Sequence, residues 1–97
     1  GDLDQEKMLA DMFVKVGDDS VQVLKTHLKE ESSADEWKGA LHKLKGSSAQ
    51  IGANALSALC LKAEKAEGPS ESEKMALLAE IEVGYQKVKE FFKIRQV

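Results

Sequence analysis

Hydrophobic residues recur along this chain at intervals of three and four, which is the spacing of one face of an α-helix. We find no run that alternates apolar and polar residues, as a half-buried strand does. The repeats fall into five segments, separated by residues typical of turns and helix ends. The pattern predicts helices at about 4–16, 19–31, 34–51, 53–66 and 70–95.

The breaks between these segments carry turn and cap residues. The "GDDS" at 17–20 is interpreted as the end of the first helix and the cap of the second. Ser33 or Asp35 is predicted to cap the third helix, Gly52 to end it, and Ser70 to cap the last one. The short connections predict an all-α fold: an antiparallel four-helix bundle with an additional short N-terminal helix lying across it.

Length and composition narrow the class of protein. A chain of 97 residues supports one hydrophobic core, so residues 1–97 are predicted to form a single domain. No apolar run approaches the roughly 20 residues of a membrane-spanning helix, and we expect no signal peptide. A single cysteine forms no internal disulfide, so we expect a reducing, cytoplasmic location.

The charges are distributed unevenly along the chain. Between Lys38 and Lys65 there are five lysines and one acid, a local net charge of +4. Because the whole chain carries −3, the remainder carries −7. This basic stretch favours an anion near residue 42, or it is simply a solvated helix face. A nucleic-acid partner is disfavoured, because the overall charge is negative and no aromatic residues interleave the lysines.

The candidate chemistry lies in the third predicted helix, in "LHKLKGSSAQIGA" at 41–53. At roughly 100° per residue, an apolar stripe falls within about 40° of the core direction. Its members are Trp37, Leu41, Leu44, Ser48 and Ile51. His42 lies about 140° and Gly46 about 180° from Trp37, so both are predicted to face solvent. A glycine there costs about 1 kcal/mol relative to alanine, and we interpret it as room for a reactant to approach the ring.

An exposed neutral imidazole is a nucleophile near physiological pH and accepts a phosphoryl group on a ring nitrogen. Phosphoryl transfer needs positive charge around the phosphoryl oxygens, and Lys45, one turn from His42, is placed to supply it. Lys38 or Lys43 assists, and Ala49 adds to a shallow floor on which a partner docks. No glycine-rich phosphate loop is present, so the phosphoryl group is expected to come from another protein.

The stretch "HKLKGSSAQIGANALSALCLKAEKA" resembles the histidine-containing phosphotransfer (HPt) domain. The pattern of that family runs His-x-Leu-Lys-Gly, a run of small residues, Gly-Ala, and then Leu and Cys before a Leu-Glu-like pair. The resemblance covers about residues 35–66, and Asp35 matches an acidic position upstream of the histidine. Ala63 departs from the pattern, because a leucine is more usual before the acid.

The resemblance implies roles for four residues. His42 is implied as the phosphorylated residue, Lys45 as the charge partner of the phosphoryl group, and Gly46 as the access residue. Glu64 falls where such domains carry Glu or Gln that hydrogen-bonds the other ring nitrogen. The docking surface is then the exposed face around these residues together with Lys38, Lys43 and Ala49.

The resemblance also implies the function and its partners. A receiver domain's phospho-aspartate donates to His42, which passes the group to an aspartate of a second receiver. The chain then acts as a phosphorelay intermediate rather than an enzyme, without autokinase activity, a nucleotide site or a cofactor of its own. Mg²⁺ is expected in the acidic pocket of the receiver. The chain is free-standing in the cytoplasm or is the cytoplasmic part of a larger membrane-bound sensor kinase.

Other residues are assigned structural roles, and a second function stays open. His27 is interpreted as a surface histidine, Cys60 as a small buried residue and Trp37 as core. Their spacing resembles no zinc pattern, so no metal site is predicted. The alternative function is a non-catalytic helical bundle that binds a partner helix or dimerises. It explains the apolar stripes equally well, but it does not explain Gly46 beside His42 and Lys45.

Overall fold

The protein folds into helices connected by short turns. A computed structural model describes residues 2–30 and 33–95, and within these ranges it contains four helices and no strand. They are α1 (Asp2–Glu30), α2 (Ala34–Gln50), α3 (Asn54–Lys65) and α4 (Glu71–Arg95). Consecutive helices pack against each other and α4 packs against α1, so the contacts close into a ring. In the described part of the chain, no helix is long and apolar enough to span a membrane.

Local sequence sets the helix ends as predicted. Ser33 caps α2, where its side chain accepts a hydrogen bond from the backbone N–H of Glu36. Gly52 follows α2 with φ of 80°, a left-handed conformation that favours glycine. Ser70 and Glu73 form a reciprocal capping box before α4, because each side chain accepts from the backbone N–H of the other. Three of the predicted caps are therefore confirmed.

The prediction of a break at 17–20 was wrong. The first two predicted helices form one continuous helix, α1, so the structure contains no additional short N-terminal helix within its described residues. The predicted end of the second helix at residue 31 lies outside the described residues. The bounds of the other three helices agree with the prediction to within one residue at each end.

The residues at 17–20 pack against α4 instead of ending a helix. The Tyr85 hydroxyl lies 2.9 Å from the Val14 carbonyl oxygen and 2.7 Å from Asp18 Oδ1, so one proton faces two acceptors. This hydrogen bond is the main reason that the pKa of Asp18 lies below its ordinary value of 3.8. Gly17 is buried beneath the Tyr85 ring, and Lys89 pairs with Asp18 from the next turn of α4. These contacts lie where α1 continues as a helix through the glycine.

The core follows the predicted apolar stripe on α2, whereas several apolar residues in the first half of α1 lie on the surface. Leu9 and Met12, two of the apolar residues that repeat at helical spacing in this part of the chain, are 46% and 58% exposed. The inward face of α1 instead follows residues that a hydrophobic pattern does not mark, because several of them are small or polar. Between residues 4 and 30, the buried residues of α1 are Ala10, Phe13, Gly17, Ser20, Val21, Leu24 and His27.

His27 is buried, so its interpretation as a surface residue was wrong. Its ring lies 5.3 Å from the Trp37 ring, and its Nε2 lies 2.7 Å from the ammonium of Lys74 on α4. An ammonium only donates hydrogen bonds, so Nε2 accepts and carries no proton. Lys74 also lies 5.4 Å from the centre of the Trp37 ring, a cation–π distance. This cluster joins the end of α1 to the beginnings of α2 and α4.

We expect Gly17→Ala to destabilise the fold by about 1–3 kcal/mol, because a Cβ at this position overlaps the Tyr85 ring. That ring has little freedom to move, since it is buried and its hydroxyl is bound to α1. Gly39→Ala is the matched control, because a Cβ at Gly39 meets nothing within 4 Å. Urea unfolding should show the control unchanged or up to about 1 kcal/mol more stable. Equal stability of the two variants would contradict this account of α1.

Candidate functional site

The two faces of α2 fix the orientation of His42. The stripe facing the core is buried at Trp37, Leu41, Leu44 and Ser48, as predicted, and Ile51 is half-buried where the helix ends. The imidazole stands on the opposite face, with its side chain 71% exposed. The prediction that His42 faces solvent is therefore confirmed.

Glu64 on α3 bridges two residues of α2. Its Oε1 lies 3.0 Å from His42 Nδ1, and its Oε2 lies 2.7 Å from the Lys45 ammonium. The hydrogen bond from Lys45 is the main reason that the pKa of Glu64 is lowered from its ordinary value of 4.5, so the carboxylate is ionised at neutral pH. An ionised carboxylate only accepts, so Nδ1 of His42 carries the proton and donates it. In the neutral ring, the lone pair is then on Nε2, the nitrogen that Glu64 does not bind.

Lys45 is much less exposed than His42. Its side chain is 25% exposed and its ammonium is bound to Glu64. A serine of α3 also binds the backbone of Lys45. The Ser57 hydroxyl donates a hydrogen bond to the Lys45 carbonyl oxygen over 3.2 Å. Sequence reasoning did not find Ser57, whose role depends on the register of two helices. The two contacts join α2 to α3 beside the imidazole.

The remaining predicted residues of α2 are exposed, but not all of them lie beside His42. Gly46 is exposed, and a Cβ there meets nothing within 4 Å, so the space predicted beside the ring is present. Lys38, Lys43 and Ala49 are exposed, as a docking surface requires. Asp35 lies in the first turn of α2, roughly 10 Å along the helix from His42. There it interacts favourably with the helix dipole rather than with the ring.

Gly39 is a residue that the sequence interpretation overlooked. It is exposed and lies three positions before His42, while Gly46 lies four positions after it. Both positions are one turn from the imidazole on the same side of the helix. A Cβ at Gly39 also meets nothing within 4 Å. The spacing Gly-x-x-His-x-x-x-Gly was the signal available in the sequence.

The other reactive side chains lie outside this site. Cys60 is buried, as predicted, and burial raises the pKa of its thiol to about 12, which makes it unreactive near neutral pH. His27 lies on α1, where its Nε2 is bound to the ammonium of Lys74. Over residues 2–30 and 33–95, no group of three or more His, Cys, Asp or Glu side chains is arranged to hold a metal ion.

A comparison with protein families assigns the chain to one of them. The model of the family described as "Hpt domain" matches residues 8–90. The chain belongs to the Hpt domain family. No curated protein and no solved structure matches it. The resemblance found in the motif is therefore confirmed at the level of the family.

Membership in the family establishes the general function. Hpt domains are phosphotransfer modules of two-component phosphorelays, in which a histidine carries the phosphoryl group. They interact with receiver domains and have no kinase activity of their own. The four-helix architecture within the described residues is consistent with that fold.

We expect Lys45→Met to raise the pKa of Glu64 towards 4.5, because the hydrogen bond from the ammonium is the main cause of its lowering. Carboxyl-carbon NMR titration measures this change directly. Lys62→Met is the control, since Lys62 lies 3.9 Å from Glu80 on the other side of α3. An unchanged pKa in Lys45→Met, or an equal rise in the control, would contradict the bridge.

Proposed function

We propose that His42 is the phosphorylated residue and that it relays phosphoryl groups between receiver domains. The observation that supports this most is the exposed ring whose Nδ1 is bound to Glu64, which leaves the lone pair on Nε2 available to a partner. The antiparallel four-helix bundle, with the relay histidine on the outside of α2, is part of the same proposal. We propose that the single-domain assignment extends over residues 1–97.

The proposed transfer is a displacement at phosphorus. The Nε2 lone pair attacks the phosphorus of a receiver's aspartyl phosphate, an N–P bond forms, and the P–O bond to the aspartate breaks and leaves a free carboxylate. The Nδ1 proton stays on the ring, and Glu64 balances the resulting positive charge. Transfer to the second receiver is the reverse reaction with a different carboxylate. Glu64 is a positioning residue here, because it acts through His42.

Lys45 and Gly46 serve the incoming phosphoryl group in this proposal. The Lys45 ammonium is held one turn from His42 and supplies positive charge near the phosphoryl oxygens. Gly46 leaves the approach open. Lys38, Lys43 and Ala49 contribute to docking.

We propose that the chain has no autokinase activity, nucleotide site or cofactor of its own, and that Mg²⁺ is held by the receiver. We also propose a cytoplasmic location, either free-standing or as part of a sensor kinase. Family membership supports the first proposal, since Hpt domains lack kinase activity and interact with receiver domains. It supports the second because the Hpt family is cytoplasmic.

We expect His42→Gln to abolish phosphate acceptance from phosphorylated receiver domains in the presence of Mg²⁺, while the fold is retained because the ring is largely exposed. The label on the wild type should be acid-labile and alkali-stable, as a phosphohistidine is. Circular dichroism checks the fold of the variant. Label that persists in His42→Gln, or that maps to Ser47 or Ser48, would overturn the assignment.

We expect Lys45→Ala to slow phosphotransfer by about tenfold or more, because one preorganised positive charge is removed from the phosphoryl group. The loss of folding stability should stay at about 1 kcal/mol or less, since the ion pair with Glu64 is partly exposed. Single-turnover transfer rates and urea unfolding separate the two effects. Lys62→Ala, on the exposed side of α3, is the charge-matched control and should transfer at the wild-type rate.

A further inference from the structure

The outer face of α4 carries apolar side chains that the bundle does not bury. Val83 is 56% exposed and Phe91 is 54% exposed. At roughly 100° per residue, Val83 points about 160° away from Ile81, which lies in the core. Ala76 and Ala79, both exposed, lie on the same side of the helix as Val83. An apolar patch of this kind on a surface is typical of an interaction site.

This face lies on the opposite side of the bundle from His42. Among the described residues, α4 packs against α1 and α3 but not against α2. The helices α2 and α4 therefore occupy opposite corners of the bundle, and their outer faces point away from each other. His42 stands on the outer face of α2. A partner seated on the outer face of α4 thus leaves the imidazole accessible.

Shallow hollows adjoin Val83 on the surface of α4. One of them lies along α4 itself, where Gln86 and Phe91 help to line it. The other lies between α3 and α4, and Ala55 and Leu59 of α3 contribute to it. Val83 borders both hollows. A protruding side chain between two hollows is the relief that interdigitates with the side chains of another helix.

The charged residues of this face complement those of a second copy of the same face. Two copies of α4 that pack antiparallel about Val83 form a two-fold symmetric contact, in which positions before Val83 lie opposite positions after it. Glu80 precedes Val83 by three residues and Lys87 follows it by four. Both are exposed, and they lie on the same side of Val83, at about 60° and about 40° from it. Lys87 of each copy therefore meets Glu80 of the other, which gives two pairs of opposite charge.

The apolar residues follow the same symmetry. Phe91 follows Val83 by eight residues and Ala76 precedes it by seven, so the ring of one copy lies over the small side chain of the other. Val83 lies at the centre, against Val83 of the second copy. A pattern that is complementary about a single residue of one helix is what an interface between identical chains requires. A second copy of this chain is therefore the occupant that this face favours.

We propose that two copies of the chain form a dimer through the outer faces of α4, which pack antiparallel about Val83 and leave both His42 rings exposed. A helix of 25 residues is about 37 Å long and about 11 Å wide, so the contact covers about 400 Å² of each copy. That is roughly half of what a standard interface covers, so the dimer is weak and depends on protein concentration. The dimer does not depend on the proposed function of His42.

Sedimentation velocity tests the dimer and its centre. The wild type is measured from about 10 μM to about 1 mM, the range in which weak complexes form. Its sedimentation coefficient should rise from that of a monomer towards that of a dimer. Val83→Glu places two carboxylates against each other at the centre of the contact and should raise the dissociation constant at least tenfold. Met12→Glu, at a residue of α1 that is 58% exposed, is the matched control and should stay within about twofold of the wild type.

Charge reversal tests the antiparallel register. Glu80→Lys and Lys87→Glu each place like charges opposite each other in the dimer, so each variant alone should dimerise more weakly than the wild type. An equimolar mixture of the two variants restores both pairs of opposite charge between different chains, as the double variant does within one. The mixture and the double variant should therefore both recover dimerisation. Circular dichroism checks that each variant keeps its fold.

Three results would overturn the proposal. A wild type that sediments as a monomer over the whole range would exclude the second copy and leave a different protein as the occupant of the face. Wild-type dimerisation by Val83→Glu would show that the contact lies elsewhere. A mixture of the charge-reversed variants that dimerises no better than either one alone would contradict the register about Val83. His42→Gln should dimerise as the wild type does, which separates this inference from the phosphotransfer assay.

Discussion

The carboxylate of Glu64 is the contact on which the geometry of the candidate site depends. It binds Nδ1 of His42 with one oxygen and the ammonium of Lys45 with the other, so one side chain of α3 orients two side chains of α2. Because a carboxylate only accepts hydrogen bonds, this contact also sets the tautomer of the ring. The free lone pair then lies on the nitrogen that Glu64 does not occupy. An exposed histidine is thereby oriented with its nucleophilic nitrogen available.

That bridge forms only because α2 and α3 are held in register by buried contacts. The apolar stripe of α2 faces Leu56, Cys60 and Ala63 of α3 in one core cluster, and Ser57 adds a hydrogen bond to the backbone of α2. The outer face of α2 carries little bulk around the imidazole, with Gly39 before it and Gly46 after it. The same helix therefore combines a buried inner face with an accessible outer one. This division suits a module whose reaction partner is another protein.

The first helix shows how tertiary contacts override a local signal for a helix end. Gly17, Asp18, Asp19 and Ser20 favour a helix end when they are considered alone. In the folded chain Gly17 lies beneath the Tyr85 ring, Asp18 accepts from its hydroxyl, and Ser20 is buried. Tyr85 of α4, distant in sequence, thus packs against Gly17 and donates to Asp18, two of the residues that predicted a break. The register that follows leaves Leu9 and Met12 on the surface.

The sequence by itself determined the helical class, the bounds of α2, α3 and α4 to within a residue, and the outward direction of His42. Those features depend on short-range properties: a repeat of 3.6 residues per turn, local caps, and the side of one helix on which a residue lies. The continuity of α1, the burial of His27 and the shared carboxylate of Glu64 were decided by the tertiary structure, because each depends on a partner from another helix. A hydrophobic pattern also does not mark glycine, serine or histidine as inward-facing residues. That is why the inner face of α1 became visible only once the four helices were packed together.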